Sequence, residues 1–447
     1  MLHLLTEISF TNRNVTAILY RFRLFYASAF LYNVDMEKKV AFYTLGCRVN
    51  QYESHRLAEE FKAAGFNVVS ENEAADIYIV NTCTVTSLAD RKSRQYIRRA
   101  KRLNPEAKLV VMGCYSETNP KALEKLPEID YLLGTNDKDR VFEVLGLDRP
   151  EKCEFSGFDP ESRTRALIQI QSGCNRFCSY CVIPYARNRI SCKPVPEIVD
   201  EAKTLIKRGY KEIVLTGINT ALYEGGIEPV IKALNDLEGD FRIRLSSLEP
   251  TVVNAEYVKK LLQYERLCHH FHLSAQSGSN NVIANMNRRY TVEDYLDIVK
   301  VCRSFDPLFG LTTDIIAGFP GETEEDFRQS LKLIEEAEFL HVHAFPYSKR
   351  PFTKAADFED QIDPAVKKER NRALIELGDK VSQSFRKKMI GTVQRVLVEE
   401  KKGDLYRGHA SNFCEVFFES GENDIINTYI DIRVEKLHKD GVYGRKE

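Results

Sequence analysis

Two long stretches of the chain alternate a short apolar run with a helix-length segment. That alternation constrains the fold more than any other feature. In residues 36–148, Val40–Leu45, Ile77–Val80, Lys108–Met112 and Tyr131–Leu133 read as strands. Asn50–Gly65, Ala89–Arg102, Pro120–Lys125 and Lys138–Leu145 read as the helices that follow them. The pattern predicts an α/β unit, a parallel sheet with helices on both faces. Residues 164–388 repeat it, with strands predicted at Ala166–Gln171, Glu212–Thr216, Arg242–Ser246, His270–Leu273, Gly310–Ile316 and Leu340–Phe345. Helical segments lie between them, and a charged helix at 364–388 ends the unit. Residues 389–447 change character. Gly391–Glu399, Leu405–His409, Glu415–Glu419 and Asn427–Leu437 read as short strands split by Gly403, Gly421 and Gly441, which predicts a small β-barrel. Residues 149–163 are polar, hold Gly157 and Pro160 and show no period, so they read as a linker. Cys153 within it is given no role.

Three cysteines sit where the first sheet would bind a ligand. Cys47, Cys83 and Cys114 each follow one of its first three strands. Parallel strands share one carboxyl edge, where α/β folds bind ligands. The three thiols therefore converge, either as packing or as one metal cluster. Gly46 and Gly113 permit close backbone approach there. A second triplet, Cys174, Cys178 and Cys181, has the spacing C-x3-C-x2-C. Three thiolates can bind three irons of a four-iron, four-sulfur cube and leave one iron open, whereas a pure electron carrier uses four. An open metal position suits catalysis. The other readings are a zinc site closed by Cys192, or buried thiols.

The second triplet, with Tyr180 before its last cysteine, resembles the signature of the radical S-adenosylmethionine (SAM) superfamily. The string around Cys174 looks like one branch of it, the methylthiotransferases. The resemblance implies a partial (β/α)6 barrel for the central unit and catalytic roles for Cys174, Cys178 and Cys181. It implies two [4Fe-4S] clusters, SAM chelating the open iron, and cleavage of SAM to a 5′-deoxyadenosyl radical by an electron from a reductant protein. The second cluster, on Cys47, Cys83 and Cys114, would carry the sulfur delivered to substrate. Four loops, Thr216–Asn219, Ser246–Pro250, Ser274–Ser279 and Asp314–Glu322, look like the branch's barrel loops. Together with the signature's Tyr180, they imply cofactor contacts at Gly217, Asn219, Ser247, Glu249, Gln276 and Asp314. Each loop taken singly also reads as an ordinary turn.

The string Thr44–Ser54 is similar to enzymes acting on N6-threonylcarbamoyladenosine in tRNA. The isopentenyladenosine branch tends to carry Gly-Cys-Gln-Met-Asn there, and the ribosomal-protein branch Gly-Cys-x-Lys-Asn. The implied reaction converts N6-threonylcarbamoyladenosine at position 37 to its 2-methylthio derivative, with the tRNA anticodon loop as partner. Carbon C2 of adenine has no acidic proton, so a radical cofactor must supply the reactivity. The alternatives are methylthiolation of an isopentenyl-type adenosine or of a ribosomal protein, or a non-catalytic iron–sulfur redox protein. Residues 389–447 resemble the TRAM domain, an RNA-binding barrel. The family's Gly-His-Thr-Glu-Asn-Tyr reads Gly408–Phe413 here, leaving Phe413 as a candidate for base stacking. Asn188 and Phe352 stand where the family commonly has glycine.

Net charge is −1, so no global basic field announces nucleic acid, and RNA contact must come from local patches. The helix with Arg91, Lys92, Arg94, Arg98, Arg99, Lys101 and Arg102 is one candidate, with a solvated face as the alternative. Eleven cysteines without a disulfide framework favour a reducing, cytoplasmic compartment. In residues 1–35 the longest uncharged run, Leu24–Val34, is too short to span a bilayer, so no membrane is expected as a partner. Export would carry oxygen-sensitive clusters into an oxidising space. Residues 1–35 therefore read as a misassigned start before Met36, or a disordered leader.

Overall fold

In the computed structural model the described residues are 38–151, 153, 164–251, 253–422 and 424–447. Residues 1–35 and most of the linker fall outside them. The first unit is a five-stranded, wholly parallel sheet of order β2-β1-β3-β4-β5. Its strands are β1 (Lys39–Thr44), β2 (Asn67–Val69), β3 (Ile77–Thr82), β4 (Lys108–Gly113) and β5 (Tyr131–Leu133). β3 is buried along its whole length. Side chains alternate across the sheet: Ala41, Tyr78, Val80, Leu109 and Val111 pack on one face. Val40, Ile77, Ile79, Val110 and Met112 pack on the other. Gly65, at φ +86°, stops the Arg48–Ala63 helix where the sequence predicts. β2 was not predicted; three residues at a sheet edge carry too little pattern.

The central unit is the partial (β/α)6 barrel. Its strands are β6 (Arg165–Ser172), β8 (Glu212–Gly217), β9 (Arg242–Leu245), β10 (Ser247–Leu248), β11 (His270–Leu273), β12 (Gly310–Ala317) and β13 (His341–Pro346). β9 and β10 are one strand interrupted at Ser246. β9 pairs with β8 and β10 with β11, so the two four-stranded sheets join into six parallel staves. A two-residue strand, β7 (Ser191–Cys192), lies antiparallel on the outer edge of β6. β6 and β13 do not pair, and the barrel stays open between them. The Arg48–Ala63 helix of the first unit packs over β6 and β8. The Pro364–Lys388 helix packs on β13, where Gly378 allows a close approach: a Cβ would lie 3.0 Å from the Val342 side chain.

The carboxyl-terminal unit is a closed five-stranded barrel, β14 (Val393–Lys402), β15 (Leu405–His409), β16 (Glu415–Glu419), β18 (Gly441–Lys446) and β17 (Tyr429–His438) in spatial order. β18 corrects the four-strand expectation, in which Gly441 was a break. Gly441 and Gly444 are instead what lets it close the barrel. A Cβ at Gly444 would lie 2.2 Å from the Arg433 carbonyl. Closure leaves no sheet edge. This barrel docks on the amino-terminal ends of the central strands. Arg242 donates to the His409 carbonyl at 3.0 Å and Arg244 to that of Ser411 at 3.2 Å. Both arginines bind Glu212, which is fully buried. Burial alone would raise its carboxyl, and the arginines hold it well below the usual range.

Candidate active site

The central triplet hangs from the end of β6. Gly173, at φ +82°, turns the chain, and a Cβ there would lie 2.1 Å from the Arg189 carbonyl. The amide of Cys174 donates to the Arg187 carbonyl at 3.1 Å, closing the loop on itself. Asn287 donates to the Phe177 carbonyl at 3.0 Å, and the Ser179 hydroxyl to that of Asn285 at 2.8 Å. These bonds pin Cys174, Cys178 and Cys181 together, close enough to repel one another as thiolates. Burial first, then Cys178, pushes the Cys181 thiol up to about 12. Thiols in that state need a bound cation to ionise, so metal binding and proton release are coupled. Arg288 supplies part of that field. Its Nη1 lies 4.0 Å from Cys178 Sγ and 3.2 Å from the Tyr180 hydroxyl, and its Nη2 donates to the Ser274 carbonyl at 3.1 Å.

Six of the seven expected cofactor contacts fall into two groups. Asn219 and Glu249 stand with Tyr180 around the central triplet. Asn219 Nδ2 is 3.9 Å from Cys174 Sγ and 2.5 Å from Glu249 Oε2, and Arg176 lies 3.4 Å from the same carboxylate. Gly217, Ser247 and Asp314 line a cavity of about 1040 Å³ that Cys47 also faces. Asp314 accepts from the Ser274 hydroxyl at 3.0 Å and bonds His272 Nε2 at 3.1 Å. Burial opposes its charge, but these bonds hold the carboxyl below its ordinary value. Gln276 adopts φ +65° and joins β12 through its backbone, its amide donating to the Asp314 carbonyl at 2.8 Å.

The amino-terminal triplet converges at the carboxyl edge of the first sheet. Cys47 precedes the Arg48–Ala63 helix, Cys83 follows β3 and Cys114 follows β4. Gly46, at φ +101°, makes the approach possible: a Cβ there would lie 2.9 Å from Cys83 Cβ and 3.0 Å from its Sγ. Cys83 and Cys114 are buried, while Cys47 is exposed and faces the cavity. Burial pushes the Cys83 thiol up to about 12. Two cations, Arg187 and Lys138, stand near Cys114 and offset negative charge there. Arg187 binds Glu53 through both Nη atoms at 2.8 Å and donates to Asn50 Oδ1 at 2.7 Å; Lys138 binds the same carboxylate. Arg187 follows the central triplet and Glu53 follows Cys47, so this buried ion cluster ties one site to the other.

Among the described residues no three His, Cys, Asp or Glu side chains converge on a point that a single metal ion would fill. A four-iron cube asks for another arrangement, one thiolate per iron. Cys192 is turned toward Leu222 and Glu224, contacting the Leu222 carbonyl at 3.8 Å and the Glu224 amide at 3.4 Å. The donor sets therefore fit iron–sulfur clusters: three thiols each, cations beside them, and glycines where a Cβ would fill the cradle.

Residues 39–134 match a family described as uncharacterized protein family UPF0004, and residues 168–334 match the radical SAM superfamily. The threonylcarbamoyladenosine tRNA methylthiotransferase MtaB of Bacillus subtilis (strain 168) is 37% identical over 423 residues, 89% of this chain and 94% of that protein. The chain belongs to the radical SAM methylthiotransferase family. MtaB of Aquifex aeolicus is 40% identical over 382 residues, 81% of this chain and 93% of that protein. The tRNA-2-methylthio-N(6)-dimethylallyladenosine synthase of Clostridium tetani is 34% identical over 432 residues, 90% of this chain and 95% of that protein. Among solved structures, the radical SAM methyltransferase TsrM from Kitasatospora setae shares the fold, with a TM-score of 0.55 at 17% identity over 72% of this chain and 77% of that one.

For a radical SAM methylthiotransferase, sequence reasoning missed the supporting charges. Arg288 stands 110 residues from Cys178, and Arg187 134 residues from Glu53. The one local signal for Arg288 is Asn287, at φ +57°, which turns the chain after the short Asn280–Asn285 helix. Phe413 does not stand free for a base. Its ring lies 4.7 Å from that of His270 and 4.9 Å from that of His409, with Arg244 over it. His341 and His343 line the cavity. Phe352 keeps φ +69°, the region glycine favours, in agreement with glycine's place there in the family. On the basic Ser87–Leu103 helix, Arg94 is bound to Tyr115 and Lys101 to Asp130; Arg91, Lys92, Arg98 and Arg102 are exposed.

Proposed function

We propose that this enzyme converts N6-threonylcarbamoyladenosine at position 37 of tRNA to its 2-methylthio derivative. The observation that carries the reading is the name borne by relatives from four bacteria, 36–40% identical and covered over 93–96% of their length. Cys174, Cys178 and Cys181 would hold the cluster that leaves an iron for SAM, with Asn219, Glu249 and Tyr180 lining its approach. Cys47, Cys83 and Cys114 would hold a second [4Fe-4S] cluster at the cavity wall. When bound, cluster and SAM supply a carbon radical able to break an unactivated C–H bond. The barrel walls exclude water from the adenine, and Gly217, Ser247, Gln276 and Asp314 orient the bound groups. The carboxyl-terminal barrel, TRAM-like, would hold the anticodon stem with the exposed arginines of the basic helix. A reductant protein supplies electrons, and the compartment is the cytoplasm. Among the described residues no helix is long and apolar enough to cross a membrane.

Nucleoside mass spectrometry of tRNA from a strain lacking this gene tests the reading. The 2-methylthio form should vanish and N6-threonylcarbamoyladenosine should accumulate. Loss of the 2-methylthio isopentenyl nucleoside instead, or an unmodified ribosomal protein with normal tRNA, would contradict it.

A further inference from the structure

Arg48 directly follows Cys47, and its side chain lines the 1040 Å³ cavity together with Ser247 and Asp314. It also lines a second cavity, of about 700 Å³, beside Leu167 and Val214. Among the described residues its guanidinium makes no hydrogen bond and no ion pair. The charges around it are Arg165, Arg244 and Glu212. Glu212 is committed to Arg242 and Arg244 through bonds of 2.6 to 3.0 Å. The other arginine on the cavity wall, Arg386, is also engaged. It donates to the carbonyls of Lys439 at 2.8 Å, Gly441 at 3.1 Å and Ser382 at 3.3 Å. His409 is bound to Glu399, and His272 to Asp314. Among the described residues Arg48 is therefore the arginine of this wall without a protein partner. A half-buried guanidinium with no protein partner is costly, and an anionic ligand removes that cost.

We propose that Arg48 binds the carboxylate of the substrate's threonylcarbamoyl arm and selects for an acidic N6 substituent. The assignment rests on the substrate reading above. The arm hangs from C6 through N6, and only N1 separates C6 from C2, the carbon that receives sulfur. With C2 turned to the Cys47 triplet, the arm lies beside the next residue. A guanidinium takes a carboxylate through two parallel bonds. An apolar isopentenyl arm would cover the same cation and leave it unpaired, so one residue both attracts the acid and rejects the hydrocarbon.

The test uses anaerobically reconstituted holoenzyme and an anticodon stem-loop carrying either N6-threonylcarbamoyladenosine or its methyl ester. The wild type should bind and turn over the acid about 10- to 100-fold better than the ester. Arg48→Gln should lose that preference, with kcat/KM falling on the acid alone. Arg48→Lys should keep part of it. Equal losses on both substrates in Arg48→Gln would overturn the assignment. So would a wild type that treats acid and ester alike, a result that stands even where the variants fail to hold their clusters. A wild type active only on an isopentenyl stem-loop overturns the substrate reading, and the assignment with it.

Discussion

A Cys83→Ala enzyme is expected to cleave SAM and yield no methylthio product. The central triplet lies on a different sheet from Cys83, in a loop pinned by Asn287 and the Ser179–Asn285 contact, none of which involves the first sheet. On the proposed assignment SAM cleavage would draw only on that triplet. On the same assignment sulfur insertion would draw on the second site, where Cys83 is one of three thiols gathered around Gly46 and Gly113. Changes that merely touch a metal's outer partners cost about 10- to 100-fold in affinity, and this one removes a ligand. Product should fall to background while 5′-deoxyadenosine still forms. A soluble Cys83→Ala enzyme that keeps making methylthio product would take sulfur insertion away from the first sheet.

Glu53→Ala should be the most destabilising single change at the junction of the two units. Glu53 neutralises both Arg187 and Lys138, and all three side chains are largely buried. Removing it strands two cations, at a cost of about 3–5 kcal/mol. The same carboxyl gives a pH signature. Burial would raise it, but Lys138 and Arg187 more than offset that and hold it at about 2. A carboxyl depressed on folding stabilises fully above its unfolded value, about 4.3. That contribution is lost as pH falls from there through about 2. Thermal unfolding should show a lowered first transition for Glu53→Ala at pH 7, and a gap to wild type that narrows in acid. A variant that melts with the wild type at both pH values would show that the cluster carries no net stability.

Much of this architecture is legible in the sequence because it repeats. Ile77–Val80 is a continuous apolar run because both faces of its sheet are covered. Cysteines placed just after Thr44, Thr82 and Gly113 converge because parallel strands share one carboxyl edge. Pieces made by single contacts across long separations left no pattern. Arg288 reaches Cys178, and Arg350 donates to Thr84 at 2.8 Å and Asp90 at 2.6 Å across some 260 residues. Phe413 read as a free aromatic because nothing near it in the chain announces His270 or Arg244. β18 was hidden for another reason: its glycines are spacing elements for close strand approach, and locally they look like breaks.

On the proposed reading each cysteine triplet would hold its own four-iron cluster with one iron left open. Iron and sulfide analysis of anaerobically reconstituted protein, paired with the two triple-alanine variants, tests it most directly. Two clusters correspond to about eight irons and eight sulfides per chain. Replacing Cys174, Cys178 and Cys181 should leave about half, and so should replacing Cys47, Cys83 and Cys114. A wild type that holds a single cluster, or stoichiometric zinc with no sulfide, would contradict the account.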